Sequence, residues 1–174
     1  MPLHSPKVMV WCGVGAFGIV GPYFFENDNE ETVTVNSERY VTMFEGFVEP
    51  QLRQLGIDPT ALHFQQDGSR AHTARNSMAV HEMFGIVISR FGDITWPAQS
   101  PDLTVPDFFL LGFLKDRVFQ RHIMTIQELK QATVDKVAPI DEDLRRRMYG
   151  NFQTRLQQCI DVNGGHLPDV IFRK

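Results

Sequence analysis

Three aspartates stand where this chain could do chemistry. Asp67 follows an apolar, β-rich run and precedes Gly68, the kind of place at the carboxyl end of a strand where open α/β sheets hold their sites. Asp102 lies in a proline-rich stretch, and Asp107 heads a strongly apolar one. Carboxylates brought together repel unless a cation neutralises them, and hard divalent ions such as Mg²⁺ take oxygen ligands of this type. Singly, each residue also has a plainer use: Asp before Gly forms turns, and Asp107 at a helix start is an N-cap. His72, five residues beyond Asp67, could approach a metal or a phosphate, or cap the helix that follows.

These side chains need a scaffold. Residues 8–14 and 19–25 are β-rich runs joined by Gly15, Ala16, Phe17 and Gly18, which predicts a hairpin with a four-residue loop. An acidic stretch, 26–31, has nothing to bury and reads as a solvated loop. From residue 37 to 55 the apolar positions Val41, Phe44, Val48, Leu52 and Leu55 recur at steps of three and four, with Asn36 or Ser37 as N-cap. Residues 61–66 form a strand candidate ending at Asp67, 73–84 a weaker helix, and 86–89 another buried strand. His63 itself is expected to be half-buried. Pro97, Pro101 and Pro106 mark a loop over 92–106. Residues 107–119 are apolar on nearly every face, as a central buried helix would be. Thr125-Ile126-Gln127-Glu128 is a capping box, and a last helix runs from a cap at Asp141 through Leu144, Met148, Phe152, Leu156 and Ile160 to a glycine-rich stop. The order is that of an α/β domain with a helical C-terminal end.

Composition fits such a domain: 174 residues, 43% apolar and 22% charged, enough to bury a core and unlike a disordered tail. Cys12 and Cys159 are far apart and lack metal-ligand spacing, which disfavours a zinc module or a disulfide framework and suits a reducing compartment. No apolar run reaches the roughly 18 residues of a membrane span, so a soluble intracellular protein without a membrane partner is expected. The net charge of −4 conceals an asymmetry: residues 1–87 hold 5 Lys/Arg against 10 Asp/Glu, and residues 88–174 hold 12 against 11. Lys115, Arg117 and Arg121 form one cationic group and Arg145, Arg146 and Arg147 another; either could meet phosphate, although a solvated helix face is the default for the arginine triplet. Trp11, Trp96 and the phenylalanines are expected in the core.

Two runs carry a resemblance. Phe64-Gln65-Gln66-Asp67-Gly68-Ser69-Arg70-Ala71-His72-Thr73-Ala74 and Trp96-Pro97-Ala98-Gln99-Ser100-Pro101-Asp102-Leu103-Thr104-Val105-Pro106-Asp107-Phe108-Phe109-Leu110 resemble the second and third catalytic blocks of mariner-type DDE/D transposases. Val8-Met9-Val10-Trp11-Cys12-Gly13, Val35-Asn36-Ser37-Glu38-Arg39-Tyr40, Gly112-Phe113-Leu114-Lys115-Asp116 and the tail over 151–166 extend it over most of the chain, in order. The resemblance implies an RNase H-like α/β domain, a mixed sheet flanked by helices, with three carboxylates holding two Mg²⁺ or Mn²⁺ ions. It implies cleavage of DNA by activated water and transfer of a 3′-hydroxyl to target DNA.

Carried over by position, Asp67 matches the second carboxylate and Asp107 the third, because Asp107 follows Pro106 at the head of the apolar helix. Spacing pulls the other way: thirty-four residues separate Asp67 from Asp102, as in many such enzymes, and thirty-nine separate it from Asp107. A lengthened 82–95 segment accounts for the difference, which leaves Asp102 as a turn residue. The family's first carboxylate sits on a central first strand ahead of the block matched by residues 8–13, and only seven non-acidic residues precede that block here. The expectation is therefore a partial catalytic domain, 1–122 carrying sheet and core helices and 123–174 the C-terminal helices, lacking the central strand and inactive alone. DNA, a homodimer or an intact transposase are the implied partners, His72, Lys115, Arg117 and Arg121 the implied DNA contacts, and the nucleus the implied location. A non-catalytic nucleic-acid-binding or assembly module is the alternative.

Overall fold

The computed structural model describes residues 7–96, 103–106, 123 and 125–163. Its first element is an antiparallel hairpin of β1 (Val10–Gly15) and β2 (Gly18–Phe24), in which Gly15 pairs with Gly18, so the loop is the two residues Ala16 and Phe17 rather than four. At Gly15 a Cβ would stand 2.4 Å from the Phe17 ring, a contact that glycine avoids. The register slips between Trp11 and Gly13. Opposite lies Gly21, at φ 106°, where a Cβ would stand 2.9 Å from the Trp11 carbonyl oxygen; only glycine fits both the backbone and the approach.

Next, α1 (Ser37–Met43), a π-helical turn (Phe44–Val48) and α2 (Glu49–Gln54) run on without a break. Asn36 caps the start by accepting from Arg39 N at 2.8 Å. The buried stripe is Tyr40, Met43, Phe44, Val48 and Leu52, close to the predicted face, whereas Leu55 beyond the end is 55% exposed. Phe44 is wholly buried, edge-on to Trp11, Phe64 and Phe84 and tilted against Tyr40, and so joins hairpin, helix and second sheet in one core. Burying such a ring stabilises by about 1.5–3 kcal/mol.

The second sheet is parallel, in the order β3 (His63–Gln65), β4 (Ile86–Ser89), β5 (Ile94–Thr95). β3 is shorter than its 61–66 expectation because Pro59–Ala61 coil into a 3₁₀ turn capped by Asp58. His63, at its first position, is exposed rather than half-buried. The expected helix over 73–84 is instead a single α-turn, α3 (Arg70–Thr73), followed by a long 3₁₀ segment, Arg75–Met83. Ala74, extended at ψ 150°, separates the two. β5 was not expected: two residues of the 92–106 loop pair with Ile88 and Ser89, and the Asp93 carboxylate accepts from Val87 N at 2.8 Å beside them.

Two helices close the fold. α4 (Ile126–Val137) opens on the predicted capping box, both halves of it formed by Thr125 and Glu128. α5 (Glu142–Asp161) starts from Asp141, which accepts from Leu144 N. A second core of Val105, Val137, Ile140 and Met148 packs these helices on Cys12, Val14 and Ile19 of the hairpin. Tyr149 Oη donates to Val14 O at 2.8 Å, and Lys130 pairs with Glu26. Ile160, assigned to the apolar face, is 67% exposed, whereas Arg155 is buried. The expected helix over 107–119 lies outside the described residues. No helix among the described residues is long and apolar enough to cross a membrane.

Candidate functional site

Asp67 stands two residues beyond β3, at the carboxyl end of the parallel sheet. The chain turns there because Asp67 Oδ1 accepts from Ser69 N two residues on, at 3.1 Å, the self-made turn that Asp forms readily. Ser69 then leads into α3, whose one turn carries His72 back to Asp67. His72 Nδ1 donates to the same Oδ1 at 2.5 Å, which places a proton on Nδ1. The Asp67 side chain is 46% exposed and so open to a cation or a phosphate. The His72 hydrogen bond, with help from the Ser69 amide, holds its carboxyl below the usual carboxylate range against the opposing effect of partial burial.

Behind this pair lies a polar layer that the sequence did not disclose. The Tyr40 ring, its centroid 4.6 Å from that of His72, lies against the imidazole, and its hydroxyl donates to the Gln66 side-chain oxygen. The Gln66 amide Nε2 donates in turn to His81 Nε2 at 2.9 Å. Burial pushes the Tyr40 hydroxyl well up, aided by the Asp67 charge, and pushes His81 down, which keeps that imidazole a neutral acceptor. Both Gln66 and Tyr40 are buried, so this layer holds the strand end from the core side. No local spacing links positions 40, 66 and 81; only the fold brings them together.

Residues 103–106 run alongside. Gln65 Nε2 donates to Leu103 O at 3.5 Å, and Leu103, Thr104 and Val105 are buried. Thr104, Val105 and Pro106 line the same cavity as Asp67 and His72, about 630 Å³ in volume. Asp102, Asp107, Lys115, Arg117 and Arg121 lie outside the described residues. Among the described residues no three His, Cys, Asp or Glu side chains converge as a metal site would need, and Asp67 is the one carboxylate lining the cavity. Of the arginine triplet, Arg146 pairs with Glu142 and Asp143, and Arg145 donates to Ile140 O. Much of that cationic group is therefore already engaged. The acidic 26–31 loop turns on itself through Asn27, which accepts from Asn29 N and Glu31 N.

No family model matches the sequence, and no curated protein matches it. Solved structures do match. The catalytic domain of Mos1 mariner transposase superposes with a TM-score of 0.73 at 17% identity, over 93% of this chain and 76% of that one. A Mos1 paired-end complex with the left transposon end gives 0.78 at 18% identity, over 95% of this chain and 46% of that one. A Mos1 mariner paired-end complex with Mn gives 0.77 at 18%, over 96% and 47%. The chain thus spans about half the length of the transposase chains in those complexes. At this identity the likeness is one of fold: the mixed α/β architecture, a parallel three-stranded sheet and an antiparallel pair flanked by helices, is that of the RNase H-like catalytic domain of Mos1.

Proposed function

We propose that the chain is part of the catalytic domain of a mariner-type DDE/D transposase, a DNA endonuclease and strand transferase, with Asp67 as one carboxylate of a divalent-metal site. The observation that carries this reading is the placement of Asp67: a half-exposed carboxylate, held ionised by His72, at the carboxyl end of β3 in a fold shared with the Mos1 catalytic domain. Hard oxygen donors of this kind suit Mg²⁺ or Mn²⁺, and a Mos1 paired-end complex holds Mn. Asp107 is the proposed second ligand, supported by Pro106 lining the cavity that Asp67 lines. Asp102 keeps the proposed turn role.

Divalent ions bound there would supply water activation and charge stabilisation for phosphoryl transfer. The chain's own residues do the positioning. Ser69 N and His72 Nδ1 fix Asp67 Oδ1, Tyr40 fixes the imidazole, and the Gln66–His81 contact holds the strand end in the core. Lys115, Arg117 and Arg121 are proposed to meet the DNA backbone, with DNA and a second transposase copy as partners and the nucleus as the place of work. The division into 1–122 and 123–174 belongs to the same proposal.

We also propose that Asp67 and Asp107 do not suffice for DNA cleavage, because two carboxylates leave about two of the four positive charges of two divalent ions unbalanced. Calorimetric titration with Mn²⁺ tests the metal reading: wild type should bind measurably and the Asp67→Asn, Asp107→Asn double variant should not. Equal binding by both would remove the site. In a supercoiled-plasmid assay the chain alone should give no metal-dependent nicking; nicking that survives loss of both aspartates would overturn the assignment.

A further inference from the structure

The expectation that the phenylalanines enter the core fails most clearly at Phe91, which is 57% exposed in the turn between β4 and β5. That turn is fixed by its backbone. Gly92 N and Trp96 N both donate to Ser89 O, at 3.4 and 2.9 Å, and the Asp93 carboxylate is turned onto Val87 N. A Cβ at Gly92 would clash with the Val87 carbonyl oxygen. Phe91 is thus presented at a set place. An exposed ring alone means little, but this one carries a cation and has a particular neighbour. The Arg90 guanidinium carbon stands over the ring, 5.3 Å from its centroid. β3 and β4 run parallel with Gln65 opposite Ile88, so Asp67 and Arg90 leave the same end of the sheet. The Arg90 stem passes 3.9 Å from where a Cβ of Gly68 would stand, which puts it next to Asp67. Arg70, two residues beyond Gly68, is exposed as well. Among the described residues the ion pairs use Arg53, His72, Lys130 and Arg146, and neither Arg70 nor Arg90 enters one.

We infer that Phe91 and Arg90 form a stacking platform for one unpaired base of a DNA strand, with Arg90 and Arg70 meeting the phosphates beside it. Every base has a π face, so stacking on an aromatic side chain tolerates any sequence. The guanidinium covers one face of the ring and leaves the other for the base, while its charge serves the backbone. A base inside a duplex is already stacked on both sides and offers no free face. The platform therefore selects single-stranded or locally opened DNA over duplex. Its purpose, holding a strand beside the phosphate to be cleaved, rests on the reading of Asp67 as part of a DNA-processing site; the binding itself needs no metal.

The test measures anisotropy of a fluorescein-labelled twenty-nucleotide oligothymidylate with the whole chain in EDTA. The same strand annealed to oligoadenylate, and an abasic strand of equal length, are the comparisons. Wild type should bind the single strand at least about fivefold more tightly than either. Phe91→Ala should weaken single-strand binding about tenfold without changing its salt dependence, Phe91→Trp should restore it, and the abasic strand should not distinguish wild type from Phe91→Ala. Arg90→Gln and Arg70→Gln should each lower the slope of log affinity against log salt by about 0.7, the share of one phosphate contact on a single strand. Equal single-strand affinity of Phe91→Ala and wild type, preference for the duplex, or salt slopes unmoved by both arginine variants would overturn the inference. The two readings fail separately. A chain that binds no Mn²⁺ in calorimetry yet loses single-strand affinity with Phe91→Ala keeps the platform and loses the metal site, and the opposite pair of results removes the platform alone.

Discussion

Asp67 and His72 are coupled through one short hydrogen bond, and the coupling is measurable at both ends. Removing the imidazole with His72→Ala takes away the largest cause of the depressed Asp67 carboxyl, so its titration should move up toward the ordinary value of about 3.9, read by carboxyl ¹³C NMR. A carboxyl lowered in the folded state stabilises the protein above its unfolded pKa. That contribution is lost as pH falls through the lower folded pKa, so the acid limb of the stability curve should flatten in the variant. An unchanged Asp67 titration would show that the contact does not set it. Cys12 makes a second case: burial pushes its thiol up to about 12, which leaves about one part in ten thousand as thiolate at pH 8. Iodoacetamide should leave Cys12 unmodified in the folded chain and label it in guanidinium, as mass spectrometry of the digest would report. Asp67 was legible because a lone carboxylate at a strand end before Gly is a local signal. The His72 bond was not, since it depends on α3 being a single turn, and Tyr40, Gln66 and His81 meet only through tertiary packing.

At the scale of elements, legibility followed how local each cause is. The Asn36 cap, the Thr125–Glu128 box and the Asp141 cap are formed within four residues, and all three helix starts were read in place. Thr125→Ala should cost about 1 kcal/mol in urea denaturation, since it leaves the Glu128 amide unmet. β5 and the 3₁₀ run Arg75–Met83 escaped because neither is encoded by periodicity. β5 exists because Ile94 and Thr95 find β4 beside them, and Arg75–Met83 stays tightly wound although its apolar spacing suits an α-helix. Close backbone approach is another tertiary cause. A Cβ at Gly85 would stand 2.1 Å from Thr60 O, against backbone rather than a side chain that could yield. Gly85→Ala should therefore destabilise by about 1–3 kcal/mol and shift the amide resonances of β3 and β4; a neutral effect would mean that the Pro59–Ala61 turn moves freely.

Taken as a whole molecule, the described chain has two cores with the hairpin between them. Trp11 faces the Phe44 core, while Cys12 and Val14 face the core of α4 and α5, so opposite faces of one strand serve both. The α/β class was legible from the order of elements, but this sharing was not, because it needs the hairpin to lie between partners more than a hundred residues apart. Shared use of a single strand makes the two parts thermodynamically linked. Met148→Ala, at a side chain 1% exposed in the helical core, should remove about 2–5 kcal/mol, and the loss should be transmitted through β1 to the Phe44 core. Tryptophan fluorescence, to which Trp11 contributes, and far-ultraviolet dichroism of the helices should then follow one coincident urea transition, displaced to lower denaturant in the variant. Two separated transitions, with only the dichroism displaced, would make the C-terminal helices an independent unit docked on the sheet. The Tyr149–Val14 hydrogen bond refines the distinction: Tyr149→Phe should lower the single midpoint by the worth of one bond, about 1 kcal/mol, and should do so equally in both probes.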